Sequence, residues 1–158
     1  VIPPCDITLA EPFDVPQIAA LSRHAVEHNL DWRWTPARVM RSVRDRGTNV
    51  AVARQGRQLL GFAILRYLED EAHLQLLAVQ VSHRRRGVGS ALMGWLDTTL
   101  GVAGIGAVRL EARAGNDGAL AFYRALGFRQ TGLQRGYYPS GEDAVQMSRR
   151  LHDVAAAD

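Results

Sequence analysis

The sequence predicts a mixed α/β fold in which one mostly antiparallel sheet is covered by about four helices. Three observations predict it. The strand patterns "TNVAVAR", "QLLGFAILRYL" and "EAHLQLLAVQV" follow one another across short polar turns, as an antiparallel meander does. After them, helical and strand patterns alternate, which places helices over a sheet. With 158 residues, 47% of them hydrophobic, the chain has the length of one domain and enough apolar side chains for a sizeable core. One unit over residues 1–158 is expected, with 152–158, "HDVAAAD", as a loose tail.

The elements read in order as follows. "CDITLA" is a short strand pattern, and "DVPQIAALSRHAVEH" carries Val15, Ile18, Ala19, Leu21, Ala25 and Val26 near helical spacing. "NLDWRWTPARVMRSVRD" holds two tryptophans that look exposed, then a helix start with Thr35 as N-cap and Pro36 at the first helical position, ending before Gly47. The three meander strands come next. In the third, Leu74 and Leu76 share a parity that Val79 and Val81 break. Either an inserted residue slips the alternation at Leu76, Leu77 and Ala78, a β-bulge, or the strand is buried on both faces. "VSHRRRGVGSALMGWL" then opens a helix with an apolar stripe of Val88, Leu92, Trp95, Leu96 and Leu100. A strand "GAVRLEAR", a helix "NDGALAFYRAL" closed by Gly127, and strands around "GFRQTGLQRGYY" and "DAVQMSRRL" complete the pattern.

Composition narrows the function. Cys5 is the only cysteine, which excludes an internal disulfide and a cysteine-based zinc cluster, and no metal site is expected. The N-terminal segment lacks a signal-peptide pattern and no apolar run nears the ~20 residues of a membrane span, so a cytoplasmic protein without a membrane partner is expected. The net charge is +3 with a pI near 9.6, yet all nineteen basic residues are arginines spread along the chain, a compositional bias before it is a nucleic-acid surface. Direct nucleic-acid binding is not expected, whereas an anionic small-molecule partner fits the charge.

The stretch Arg84, Arg85, Arg86, Gly87, Val88, Gly89 and Ser90 sits between a strand and a helix. Free N–H groups at a helix start, approached closely past glycines, make an anion site. A Walker A loop needs a lysine, and the chain has none. A Rossmann fingerprint needs a third glycine where Leu92 stands. What remains, Arg-x-x-Gly-x-Gly, is weak alone, and a solvated arginine-rich turn explains it equally well.

Taken with "RLEARAGNDGALAFYRALGF" and "RGYYPSGEDAVQM", the loop resembles the GNAT superfamily of N-acetyltransferases, and within it the bacterial ribosomal-protein alanine N-acetyltransferases. The resemblance runs from about Gly61 to Leu151. It implies acetyl-CoA as acetyl donor, with its pyrophosphate on the loop from Arg84 to Ser90. It also implies a bulged strand, Leu77, Ala78 and Val79, hydrogen-bonded to the pantetheine arm and thioester carbonyl, and Asn116 against the same arm. It places the general base at Glu111 and the general acid at Tyr123, and gives Tyr137 and Tyr138 to the peptide site. Plain structural roles compete at each position: Glu111 as an exposed partner of Arg109 or Arg113, Tyr123 as a core aromatic, Asn116 as a helix cap, and the tyrosines as ordinary strand aromatics. The first third departs from the family, whose aromatic-Pro-Trp segment is here "NLDWRWTPARVM". Trp34 corresponds to the tryptophan, as a wall of the acceptor groove, but no Phe-Pro precedes it.

The expectation is acetyl transfer to an amine, first of all the N-terminal α-amine of a protein or peptide, with Glu111 acting directly or through water. The same chemistry on a small-molecule amine is the alternative. A non-catalytic acyl-CoA-binding module, which would need the loop but neither Glu111 nor Tyr123, is the alternative of another class.

Overall fold

The computed structural model describes residues 5–27 and 31–151. The expected tail lies outside them. Seven strands form one sheet in the order β1-β2-β3-β4-β5-β7-β6. The strands are β1 (Asp6–Leu9), β2 (Thr48–Gln55), β3 (Gln58–Tyr67), β4 (Glu71–Val79), β5 (Ala107–Arg113), β6 (Arg129–Gln134) and β7 (Ala144–Arg150). Among the described residues only β4 and β5 pair in parallel, through the crossover helix that such a pair requires. The helices are α1 (Val15–Leu21), α2 (Pro36–Arg44), α3 (Val88–Ala103) and α4 (Asp117–Ala125).

Two apolar clusters lie on opposite faces of the sheet. On one, Val88, Leu92, Met93, Leu96 and Leu100 of α3 and Leu120 and Tyr123 of α4 pack on Ala63, Leu65, Leu74, Val108, Leu110 and Met147. On the other, Val15, Ile18, Ala19 and Leu21 of α1 and Val39 of α2 pack on Val50, Val52, Phe62, Ile64 and Ala78. The near-continuous apolar pattern of β3 follows from this, since both of its faces are covered.

Most expected elements are present, with corrections. Thr35 caps α2, its hydroxyl accepting the Arg38 N–H at 3.4 Å. The first helix is regular only to Leu21 and continues as a wider π turn over Ser22–Val26. The bulge exists, but at Gln75 instead of Leu76 to Ala78: Leu74 pairs with Leu65 and Leu76 with Ile64, so Gln75 has no opposite number. Leu74 and Leu76 therefore face opposite clusters and do not share a face. Val81 is not in the strand, which stops at Val79, and it is exposed. Trp34 is buried, because its ring lies against the α1 and α2 cluster instead of solvent. No described helix is long and apolar enough to cross a membrane.

Candidate active site

The bulge and the end of β4–β5 pairing set the site. The parallel register runs from Glu71 opposite Ala107 to Leu74 opposite Leu110 and then stops. Beyond that point β5 pairs only with β7, and Leu77, Ala78 and Val79 pair only with β3. The two central strands part there, and the backbone edge of Leu76–Val79 that faces β5 has no strand beside it among the described residues. An extended ligand can hydrogen-bond to such an edge as an added strand would.

Glu111 is the first residue of β5 beyond the fork. Strand alternation turns Arg109 and Glu111 away from the α3 cluster, and Glu71 and His73 of β4 share that face, since the register sets His73 beside Arg109. The four form a connected cluster. His73 Nε2 lies 2.7 Å from Glu111 Oε1, Arg109 Nη1 lies 3.4 Å from Glu111 Oε2, and Arg109 Nε donates to Glu71 Oε1 at 3.0 Å. The Tyr137 hydroxyl donates to Glu111 Oε1 at 3.5 Å. Glu111 is thus no exposed strand glutamate: its side chain is 10% exposed. It does pair with Arg109, as the structural alternative expected, whereas Arg113 turns to Glu142. The hydrogen bond from His73 foremost, with Arg109 and Tyr137 adding to it, outweighs burial and holds the Glu111 carboxyl below the ordinary carboxylate range.

Tyr123 is buried in the α3/α4 cluster, edge-on to Phe122 and Phe128. Burial, helped by the neighbouring Tyr138, pushes its phenol well above the ordinary range, so it stays protonated at neutral pH. Tyr137 and Tyr138 stack edge to face with centroids 5.0 Å apart. Burial, then Tyr137, pushes Tyr138 up to about 12. Tyr137 thus joins Glu111 to Tyr138.

Gly87 is the N-cap of α3 with φ 86°, a left-handed conformation that suits glycine, and no side chain caps this helix start among the described residues. Arg84, Arg85 and Arg86 are exposed beside it, Arg85 at φ 61°. The unclaimed N–H groups of Val88, Gly89 and Ser90, the surrounding positive charge and the open β4 edge fit an elongated anionic ligand such as acetyl-CoA. Asn116 is the N-cap of α4, its Oδ1 accepting the Ala119 N–H at 3.1 Å, which leaves its amide nitrogen to donate elsewhere.

The segment before α2 is fastened by a residue not singled out from sequence. The buried Glu27 accepts the N–H of Trp34 at 2.9 Å, the N–H of Arg33 and the Ser22 hydroxyl at 3.0 Å. Arg38 covers the Trp34 ring, 3.8 Å from its centroid. His73 was also missed. Its signal was its parity on a strand adjacent to β5, readable only once the parallel register is known. No group of three or more metal-ligating side chains occurs among the described residues.

Residues 12–128 match the sequence profile of the Acetyltransferase (GNAT) family. The chain is 38% identical over 97 residues to the ribosomal protein bS18-alanine N-acetyltransferase of Escherichia coli, covering 60% of this chain and 66% of that protein's length. It is 38% identical over 127 residues to the N-alpha-acetyltransferase RimI of Mycobacterium tuberculosis, covering 76% of this chain and 77% of the relative. The crystal structure of the ribosomal-protein-S18-alanine N-acetyltransferase from Escherichia coli superimposes with a TM-score of 0.81 at 31% identity, covering 93% of this chain and 94% of that one.

Proposed function

This chain belongs to the Acetyltransferase (GNAT) family, and from that membership we propose that it transfers an acetyl group from acetyl-CoA to the free α-amine of a protein or peptide N-terminus. The observation that carries the reading is the parting of β4 and β5 at Glu111, which sets an open backbone edge beside one nearly buried carboxylate, Glu111. The names of the two relatives above support an N-terminal acceptor.

In this reading the loop from Arg84 to Ser90 holds the pyrophosphate, and Leu77, Ala78 and Val79 hold the pantetheine arm with the Asn116 amide beside it. The backbone N–H groups of β4 polarise the thioester carbonyl in the manner of an oxyanion hole. Trp34, Tyr137 and Tyr138 wall the acceptor groove. The cluster centred on Glu111 takes the proton that leaves the amine. The new bond joins nitrogen to the acetyl carbon as the carbon–sulfur bond breaks, and the Tyr123 hydroxyl protonates the departing thiolate. The Tyr123 phenolate regains its proton from solvent, so for the two protons that a cationic amine sheds the net result is one on the thiol and one in solvent.

An α-amine is the easier acceptor for such a cluster. Its ordinary pKa of ~7.8, against ~10.4 for lysine, makes the neutral nucleophile at pH 7 about 3.5 kcal/mol less costly. The test is a competition between a peptide with a free N-terminal alanine and no lysine, and an N-terminally blocked peptide with one internal lysine. The first should be acetylated faster. Faster reaction of the second would refute the α-amine assignment, and reaction with neither would favour a small-molecule amine. The chain has no lysine of its own, so no side-chain self-acetylation enters the background.

A further inference from the structure

We propose that His73 carries the amine's proton, with Glu111 as the carboxylate that fixes the tautomer of its ring and balances the charge it acquires. The inference rests on the acetyl-transfer reading and divides the labour inside its base.

A carboxylate can only accept, so across the 2.7 Å contact Nε2 of His73 is the donor and Glu111 Oε1 the acceptor. In a neutral ring this leaves Nδ1 as the lone-pair nitrogen, and no described residue is hydrogen-bonded to it. Glu111 is the opposite case. Its two oxygens are engaged by His73, Tyr137 and Arg109, and its side chain is only 10% exposed against 19% for His73. Those three contacts stabilise the ionised carboxylate and so weaken it as a base. The same contacts suit it to orient an imidazole and stabilise an imidazolium, the division of roles found wherever a buried carboxylate backs a catalytic histidine.

The charges around the ring are mixed. Glu71 on its own strand and Glu111 on β5 face Arg109 on β5 and Arg66, the cross-strand partner of His73 on β3. Tyr137 adds a neutral hydroxyl, and Arg23 and His24 lie on the π turn packed against β4. Among the described residues the only carboxylate hydrogen-bonded to the ring is Glu111. In the step itself, one amine N–H bond breaks and an Nδ1–H bond forms, while the Nε2–H bond to Glu111 is kept. The imidazolium returns its proton to solvent before the next turnover, so the overall proton count is unchanged.

The experiment measures kcat and KM against pH for the wild type, His73→Gln and Glu111→Gln, with a peptide bearing a free N-terminal alanine, and acetyl-CoA binding by calorimetry. A glutamine at 73 can still donate to Glu111 but cannot take a proton. His73→Gln should lower kcat by roughly 10²–10⁴-fold, with acetyl-CoA affinity and peptide KM nearly unchanged, and should remove one ionisation from the acid limb of the kcat/KM profile, leaving that of the peptide's own α-amine. If His73→Gln keeps kcat within a few-fold while Glu111→Gln loses it, Glu111 is the base alone and the proposal is overturned. If both variants keep wild-type rates, the Glu111-centred reading of catalysis fails with it. Should His73→Gln fold poorly, ¹⁵N NMR of the wild-type imidazole decides: the Nε2–H tautomer at neutral pH is expected, and the Nδ1–H tautomer overturns the proposal.

Discussion

Phe122 of α4 lies over Gly89 of α3 so closely that a Cβ on Gly89 would sit 3.0 Å from its Cζ atom. The second glycine of the loop from Arg84 to Ser90 thus has two reasons to lack a side chain: the ligand proposed to approach it and a ring already there. Gly89→Ala should destabilise the fold by about 1–3 kcal/mol through overpacking, and Gly89→Ala with Phe122→Leu should recover most of that loss. Calorimetry on the double variant separates the reasons. Absent acetyl-CoA binding in a stable protein marks Gly89 as a point of phosphate approach. Wild-type affinity would leave Phe122 as the whole explanation.

Removing Glu27 should loosen the segment that carries Trp34, the proposed wall of the acceptor groove, without touching the proposed acetyl-CoA side. Glu27→Ala leaves the Arg33 and Trp34 N–H groups and the Ser22 hydroxyl without their acceptor, a loss of about 2–4 kcal/mol for buried donors. The expected pattern is a lower melting midpoint and a raised KM for peptide, with KM for acetyl-CoA little changed. Equal rises in both would place Trp34 outside the acceptor site.

Tyr123→Phe removes one oxygen that has no hydrogen-bond partner among the described residues and leaves the packing on Phe122 and Phe128 in place. Its melting midpoint should therefore stay close to wild type while kcat falls roughly 10²-fold or more, as for a lost proton donor. Unchanged kcat in a stable variant would return Tyr123 to a purely structural role.

The lowered pKa of Glu111 links the site to acid stability. A carboxyl that holds its proton less tightly folded than unfolded contributes stability above the unfolded value of ~4.3, and the contribution disappears as pH falls through the folded value. The gap in melting midpoint between wild type and Glu111→Gln should accordingly be full at pH 7 and shrink below about pH 4. A gap that stays constant down to pH 3 would contradict the lowered pKa.

The order and type of the elements were readable because period and punctuation agree: Thr35 and Pro36 start α2, left-handed glycines bracket α3, and Gly127 closes α4. The bulge was legible as a parity fault, but its position was not. Leu76, Leu77 and Ala78 are all apolar, and Gln75, the extra residue, sits where alternation alone had assigned an outward side chain. Glu111 and Tyr123 were singled out through motif resemblance, and the glycine loop first by its place between a strand and a helix. His73 and Glu27 were not, because each acts through a partner 38 or 7 residues away that only the β4–β5 register or the turn after α1 brings near. Trp34 was misjudged as exposed because its neighbours Arg33 and Thr35 are polar, while the fold turns the ring inward.

Among the described residues the strand pairing of β4 with β5 is only four residue pairs long, Glu71 to Leu74 with Ala107 to Leu110, and beyond it β1 through β4 meet β5, β7 and β6 through side chains. Mechanically the sheet is two panels sharing a short seam. An arm laid along the open edge from Leu76 to Val79 would extend that seam, so the acetyl donor would act as a structural strap as well as a reactant. Amide hydrogens of residues 76–79 should exchange more slowly once the donor is bound, and the relative motion of the two panels, which carries Glu111 on one and His73 on the other, should be damped at the moment when their alignment matters.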